Sequence, residues 1–553
     1  MKTTSKIILS ALVPIILSIV MVAGIIIGSV MNSREQNRLL QQKTITPNLI
    51  GFNRTNKVSE LLNMIATNYV DNVSMDSLTD LAVPYILAQL DPHSAYIPAS
   101  DLQGVNEDLE GSFGGIGVQF NLQHDTIYVV NVIANGPSDK VGLLPGDRIV
   151  AVNDTMLSGT QISNKEVMAR LRGHKGTCVR LGVLRRSEPG MLEFNVIRDD
   201  IPMKSVDAAY IIAPQTGYIL INKFGMTTYQ EFLAALAKVR KAGATKLIID
   251  LRGNGGGFMD AAVNILNEFF TDNALLVYMQ GKHYPPHEYR ANGSGAAQNM
   301  KIAVLIDEFS ASASEIFAGA IQDNDRGIII GRRSFGKGLV QNQTEFSDGS
   351  AVRLTIARYY TPSGRCIQKP YRPGHMDDYN SNLQQRFEHG EFFAKDSIRQ
   401  NDSLVYVTVG GRTVYGGGGI MPDIFVAEDT TPFTPYFNRL YNRGHIYQFA
   451  LRYTDEHRAE LKQYDTWQAL DKHLRNAHIT NQLIRYAAAR GTVGSAADKR
   501  LSQQEIERQL HGYIIRNILD DDGFFPYYNN EDPTVQRAIR ELTSNKVKIQ
   551  KHG

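Results

Sequence analysis

Ser310-Ala311-Ser312-Ala313-Ser314-Glu315 follows the apolar stretch Ile302–Ile306, and small residues continue through Ala318, Gly319 and Ala320. A serine between a strand and a helix N-terminus is placed for nucleophilic work. The turn exposes its hydroxyl, and unpaired N–H groups of the first helical turn can stabilise an oxyanion. Serine is also a preferred helix cap, and the segment itself does not choose among Ser310, Ser312 and Ser314. A base is needed as well. None of the 13 histidines sits in a G-x-S-x-G context, and His287-Glu288 lacks a second histidine because position 291 is Ala. The other candidate is Lys337, in Gly331-Arg332-Arg333-Ser334-Phe335-Gly336-Lys337-Gly338-Leu339-Val340-Gln341. A lysine acts as a general base only when neutral, which requires desolvation or nearby positive charge. Gln341, four residues on, returns to the same face in a strand or a helix, and its amide oxygen could orient the amine.

The same stretch reads as a phosphate loop that lacks its last letter. Position 338 is Gly, so no hydroxyl is available for Mg²⁺, and a strand rather than a helix follows. Two glycine loops complete the set. Asp250-Leu251-Arg252-Gly253-Asn254-Gly255-Gly256-Gly257 runs from a strand into a helix, and its amides suit an anion or oxyanion. It is not the dinucleotide fingerprint, because position 258 is Phe. Gly114-Gly115-Ile116-Gly117-Val118 leads into a strand and could offer amides to a peptide carboxylate, with the strand edge accepting an added strand.

The elements that must position these residues follow from periodicity. Apolar residues at helical spacing from Val58 to Leu90 give two or three short helices, ended at Asp91-Pro92-His93-Ser94. Residues 103–200 alternate as strands around one helix, opened by the capping box Ser163–Glu166, and predict a compact, mostly-β module. From about 205 to 430, strands at Gly217–Ile221, Lys246–Leu251, Lys301–Asp307 and Gly327–Ile330 alternate with helices at Tyr229–Val239, Phe258–Phe270 and Ala313–Ile321. That alternation predicts an α/β core. The last part, 431–553, is helical, polar and tyrosine-rich.

Composition narrows the classes. Over 553 residues, 43% are hydrophobic and 21% charged, a globular balance. Lys+Arg 58 against Asp+Glu 56 leaves +2, which argues against nucleic-acid binding as the main work. Two cysteines, Cys178 and Cys366, exclude a disulfide scaffold and a four-cysteine zinc site. Between Lys6 and Arg34 lie 27 uncharged residues, Ile7–Ser33, long enough to span a bilayer as a tilted helix. No A-x-A-like end follows, so the segment reads as a signal anchor with its N-terminus inside and residues after 34 outside the cytoplasm. In a two-membrane bacterium that side is the periplasm.

Taken in order, these motifs resemble the carboxy-terminal processing peptidases, or tail-specific proteases. The match runs over roughly residues 55–430. It includes Leu90–Ser94, Gly114–Val118, Leu143-Leu144-Pro145-Gly146-Asp147, Leu171-Arg172-Gly173, Asp250–Gly257, Ser310–Glu315, Phe335–Gln341, Tyr360-Thr361-Pro362-Ser363-Gly364 and Gly419-Ile420-Met421-Pro422-Asp423. The resemblance implies an α/β protease core with a mostly-β PDZ domain inserted in series; the N-terminal transmembrane helix and the helical flanking segments are read from the sequence itself, and the chain departs from the family at its ends. The expected order is an anchor over 1–33, a linker and helical segment over 34–102, a PDZ domain over 103–200, a serine peptidase core over 201–430 and a helical extension over 431–553, to which nothing of the family is carried over. The resemblance implies Ser312 as nucleophile, Lys337 as base, Gln341 as its orienting residue, and an oxyanion hole from Ala313 with Gly255 or Gly256. Gly115, Ile116, Gly117 and Val118 would hold the substrate tail. No metal and no cofactor are implied. Substrates would be proteins or peptides with apolar C-termini, and the extension would serve a homo-oligomer or an accessory partner. Arg172, after the module's helix, could reach the protease core and gate it. The rival reading is a membrane-tethered PDZ adaptor with an inactive protease fold.

Overall fold

The strands Thr216–Ile221, Lys246–Asp250, Lys301–Ile306 and Ile328–Gly331 are almost wholly apolar because both their faces are covered. In the computed structural model, which describes residues 56–544 apart from 124, 125, 158, 160 and 161, they form the centre of a six-stranded sheet. Val206–Ala213 lies antiparallel at one edge, and Ile424–Phe425 adds a parallel strand at the other. On one face Ile219, Leu247, Ile249 and Val304 meet Phe232, Leu236, Ile265 and Phe317 of the helices Thr228–Lys241, Met259–Asn267 and Ala313–Asp323. On the other, Tyr218, Ile248, Ala303, Leu305 and Ile330 meet Val535, Ala538 and Leu542 of the helix Pro533–Thr543. The helical tail thus supplies the cover for the core sheet's second face. Each fully buried Val or Leu there contributes about 1.5–3 kcal/mol.

A second sheet stands beside the first. Ala351–Tyr360 pairs with Leu339–Glu345, with Leu275–Gln280 and with the short strand Ala95–Ile97. The chain before the β-rich module therefore already contributes to the core, a contribution too short for periodicity to mark.

The module's sheet runs in the order Val118–Gln123, Thr126–Val132, Arg148–Val152, Cys178–Leu184, Met191–Ile197. The helix Asn164–Leu171 closes it, begun by the expected capping box: Ser163 N–H donates to Glu166 Oε2 at 2.8 Å and Glu166 N–H to Ser163 Oγ at 3.3 Å. Where the chain enters and leaves, Ser112–Gly115 and Asp199–Pro202 pair antiparallel, so the module is closed off by its own stem. The C-terminal helices bury a separate core that includes Leu470, Leu483, Leu510 and Ile514.

The chain divides into two units, Met1–Ala82 and Val83–Gly553. Of the first, the described part holds the helix Lys57–Asn68, capped by Asn56, whose side chain accepts the Val58 N–H at 3.1 Å, and the opening turns of Met75–Ala88. The expected anchor over Ile7–Ser33 lies outside the described residues. Among the described residues, no helix is long and apolar enough to cross a membrane.

Candidate active site

Lys337 precedes the strand Leu339–Glu345, and its Nζ donates to Gln341 Oε1 at 3.1 Å. Burial pushes the Lys337 amine below its ordinary pKa, and the neighbouring Arg353 guanidinium adds to this; Glu315 and Asp91 oppose it. Desolvation and positive charge are the conditions under which a lysine carries a free lone pair.

Ser312 caps the helix Ala313–Asp323 with φ 56° and ψ −113°. A non-glycine residue in that region is strained, and the strain turns its side chain outward at a strand–helix junction. Geometry separates the three serines. Ser310 and Ser314 are fully buried, and their hydroxyls donate to the carbonyls of Leu251 at 2.8 Å and Asn254 at 2.9 Å. They pin the glycine loop to the serine turn. Ser312 is half-buried and lines a cavity of about 550 Å³ together with Lys337, Gln341, Arg353, Ile316 and the loop Gly255–Gly257.

Gly256, at φ 100°, presses on that turn. A Cβ there would stand 2.7 Å from the Ala311 carbonyl oxygen and 2.7 Å from Ser312 Cβ, so no other residue fits. Its N–H, however, donates to Asn254 Oδ1 at 2.8 Å. Of the two glycines taken from the resemblance, Gly256 therefore lacks a free donor, whereas the Gly255 amide has no partner among the described residues. The Ala313 amide is likewise free, as the first N–H of a helix is.

Sequence reasoning quoted Glu315 without assigning it a role. Its carboxylate is fully buried and accepts from Ser312 N–H at 3.0 Å, Ser334 Oγ–H at 2.5 Å, Gly336 N–H at 2.7 Å and Lys337 N–H at 2.8 Å. One carboxylate thus ties the backbone of the serine turn to the backbone of the lysine loop. Burial pushes its pKa up to about 7 against these four donors. The serine-to-glutamate spacing of a capping box was the available signal. The Tyr359 hydroxyl adds a second tie, 3.1 Å from the Ser312 carbonyl and 2.5 Å from that of Lys337.

In the module, Gly117 adopts φ 77°. Gly114 abuts the loop after the module's helix, where a Cβ would lie 2.2 Å from the Gly173 carbonyl oxygen. Ile116 is buried in the module core, Gly115 pairs with Asp199, and Val118 opens a strand that, among the described residues, is at the sheet edge and pairs with Thr126–Val132. Arg172 meets Glu107 of the helix Ala99–Glu110 at 3.1 Å and lies 4.3 Å over the Phe113 ring. The adjacent Asn106 accepts from Gln343 Nε2 at 3.1 Å, on the strand that carries Gln341.

Residues 215–380 match the model of peptidase family S41, and residues 114–196 match that of the PDZ domain. Residues 436–520 match a family of unknown function (DUF8443). The chain therefore joins a segment similar to S41 peptidases to one similar to PDZ domains, and it resembles the CtpA-type carboxy-terminal processing peptidases. A probable CtpA-like serine protease of Staphylococcus epidermidis is 34% identical over 320 residues, covering 57% of this chain and 64% of the relative. Its Staphylococcus aureus counterpart is 33% identical over 330 residues, covering 58% and 65%. The chain thus spans just under two thirds of the length of the curated relatives it matches. Among solved structures, the photosystem II D1 C-terminal processing protease is 24% identical, covers 68% of this chain and 93% of its own, and has a TM-score of 0.34.

Proposed function

We propose that the chain is a serine endopeptidase that cleaves proteins near or from their C-terminal tails through a Ser312–Lys337 dyad. The observation that carries this reading is the shared cavity, in which a strained serine, a desolvated lysine and two unpaired amides converge. Neutral Lys337 takes the Ser312 proton as Oγ attacks the peptide carbonyl. Ala313 and Gly255 N–H groups stabilise the oxyanion. Lysine then protonates the leaving amine, and water, deprotonated by the same lysine, hydrolyses the acyl-enzyme. No step calls on a metal or cofactor. An apolar C-terminal tail would add as a strand beside Val118–Gln123, its carboxylate at the Gly115–Gly117 turn. The Ile7–Ser33 segment would hold the chain at a membrane with the peptidase outside the cytoplasm, and the C-terminal helices would serve self-association or an accessory partner.

The test incubates the full chain, in detergent, with an unfolded protein ending in apolar residues, beside Ser312→Ala, and reads fragments by mass spectrometry. Cleavage by wild type alone supports the reading. Cleavage by both proteins removes Ser312 as nucleophile. Tail binding without cleavage points to the adaptor.

A further inference from the structure

Gln341 ends in a primary amide whose two sides do opposite things. Its oxygen can hold Lys337 through an N–H and leave the lysine lone pair free. Turned around, it would offer an N–H to that lone pair and compete with the serine hydroxyl. Which way it faces is set from outside the catalytic strand. Gln341 Nε2 lies 2.7 Å from the His93 carbonyl oxygen, a group that can only accept, so Oε1 faces Lys337 Nζ.

The His93 carbonyl is held by a buried turn. Asp91 Oδ1 accepts the N–H groups of His93 at 2.8 Å and Ser94 at 2.9 Å, and Oδ2 accepts the Ser94 hydroxyl at 2.6 Å. Thr355 ties the turn to the strand Ala351–Tyr360. Its hydroxyl donates to Asp91 Oδ1 at 3.0 Å and its N–H to Ser94 Oγ at 3.1 Å.

We infer that the turn Asp91-Pro92-His93-Ser94 is a positioning element of the peptidase reaction, orienting the Gln341 amide through the His93 carbonyl. This rests on the peptidase reading above. The charged groups facing Lys337 are Arg353 from the strand Ala351–Tyr360, Glu315 from the helix and Asp91 from the turn, and the half-buried His93 ring beside it has its pKa lowered to about 4 and is neutral at pH 7. Asp91 could therefore act by charge alone, and the experiment must separate charge from positioning.

The experiment measures kcat and KM of the full chain on one peptide substrate. Asp91→Ala is expected to lower kcat roughly 10-fold at unchanged KM, the pattern of an interaction made in the transition state. Asp91→Asn, which keeps the Oδ1 acceptor without the charge, should stay within about 3-fold of wild type, and Thr355→Val, which keeps the charge, should lose about 3-fold. Added to Gln341→Ala, Asp91→Ala should lower kcat by less than about 2-fold, since both act on one contact.

A second full loss in the double variant overturns the inference. So does Asp91→Asn as impaired as Asp91→Ala with Thr355→Val unaffected, since that pattern is charge. If Asp91→Ala fails to fold, Thr355→Val combined with Gln341→Ala gives the same cycle. Wild type that does not cleave, or Ser312→Ala that does, sinks the peptidase reading itself and this inference with it; active wild type with an additive cycle sinks only the inference.

Discussion

The centre of the α/β core and the surface of the module with its stem are built from different grades of the same interaction. In the core, the Glu315 carboxylate is fully buried and accepts four donors from two separate loops. At the module, the pairs Arg186–Glu456 at 2.8 Å and Lys175–Asp200 at 2.9 Å are exposed on both sides, and Arg172–Glu107 at 3.1 Å is only half-sheltered. Exposed pairs are worth about 0–1 kcal/mol and are screened by salt, whereas removing one partner from a buried network leaves a group unpaired. The difference teaches where rigidity is required. Bond-making, if the core performs the proposed reaction, needs atoms held to fractions of an ångström; a peptide-binding module needs only to stay near.

The largest effect expected from this comparison is at the proposed Ser312–Lys337 dyad. Ser312→Ala and Lys337→Ala should each lower turnover very roughly 10⁴–10⁶-fold, with the double variant little worse, because such residues act as a unit. Near-wild-type turnover in either purified variant would falsify the dyad. Below that stands Glu315→Gln. The amide places N–H groups against backbone donors, so about 1.5–3 kcal/mol of charge-assisted bonding is lost, equivalent to roughly 10–100-fold in kcat. A KM that rises instead, at constant kcat, would mean that Glu315 shapes binding rather than the catalytic geometry.

The two grades were not equally legible in the sequence. Apolar runs marked the four central strands of the six-stranded sheet but not its edges Val206–Ala213 and Ile424–Phe425, and the Ser163–Glu166 capping box was read correctly from its letters. The module and the peptidase segment were legible as a joint order of motifs. What stayed hidden is what tertiary structure alone supplies. Ser312 differs from its neighbouring serines by a backbone angle, not by residue type. Gln341 meets a carbonyl 248 positions away, and a carbonyl has no residue signature. The second face of the sheet is covered by residues 533–543, whose apolar stripe says nothing of its partner.

At the module, effects should be small and salt-dependent. Arg186→Ala should change stability by less than about 1 kcal/mol and basal turnover by less than about 2-fold, with the difference from wild type vanishing at high salt. Arg172→Ala is expected to alter the ratio of peptide-stimulated to basal turnover several-fold, by about the worth of one half-sheltered pair with a ring beneath it. If neither rate moves, Arg172 holds the fold of the stem and transmits nothing.

A further effect is read in stability rather than turnover, a pH dependence that the burial of Glu315 produces. Glu315 is pushed up to about 7 from its ordinary 4.5. Between those values the folded chain binds more protons than the unfolded chain, so stability falls as pH rises, and the loss is complete above the folded pKa. His93 works in the other direction. Its pKa lies at about 4 instead of 6.5, so the unfolded chain binds more protons between them and stability rises with pH. The two slopes oppose each other where the windows overlap, and wild type should look nearly flat there as far as these two groups decide it. Glu315→Gln removes one slope. Relative to this variant, wild type should lose stability steadily from about pH 4.5 to 7, read from urea midpoints at closely spaced pH values. Parallel curves for the two proteins would mean that Glu315 is charged throughout that range, its four donors outweighing its burial.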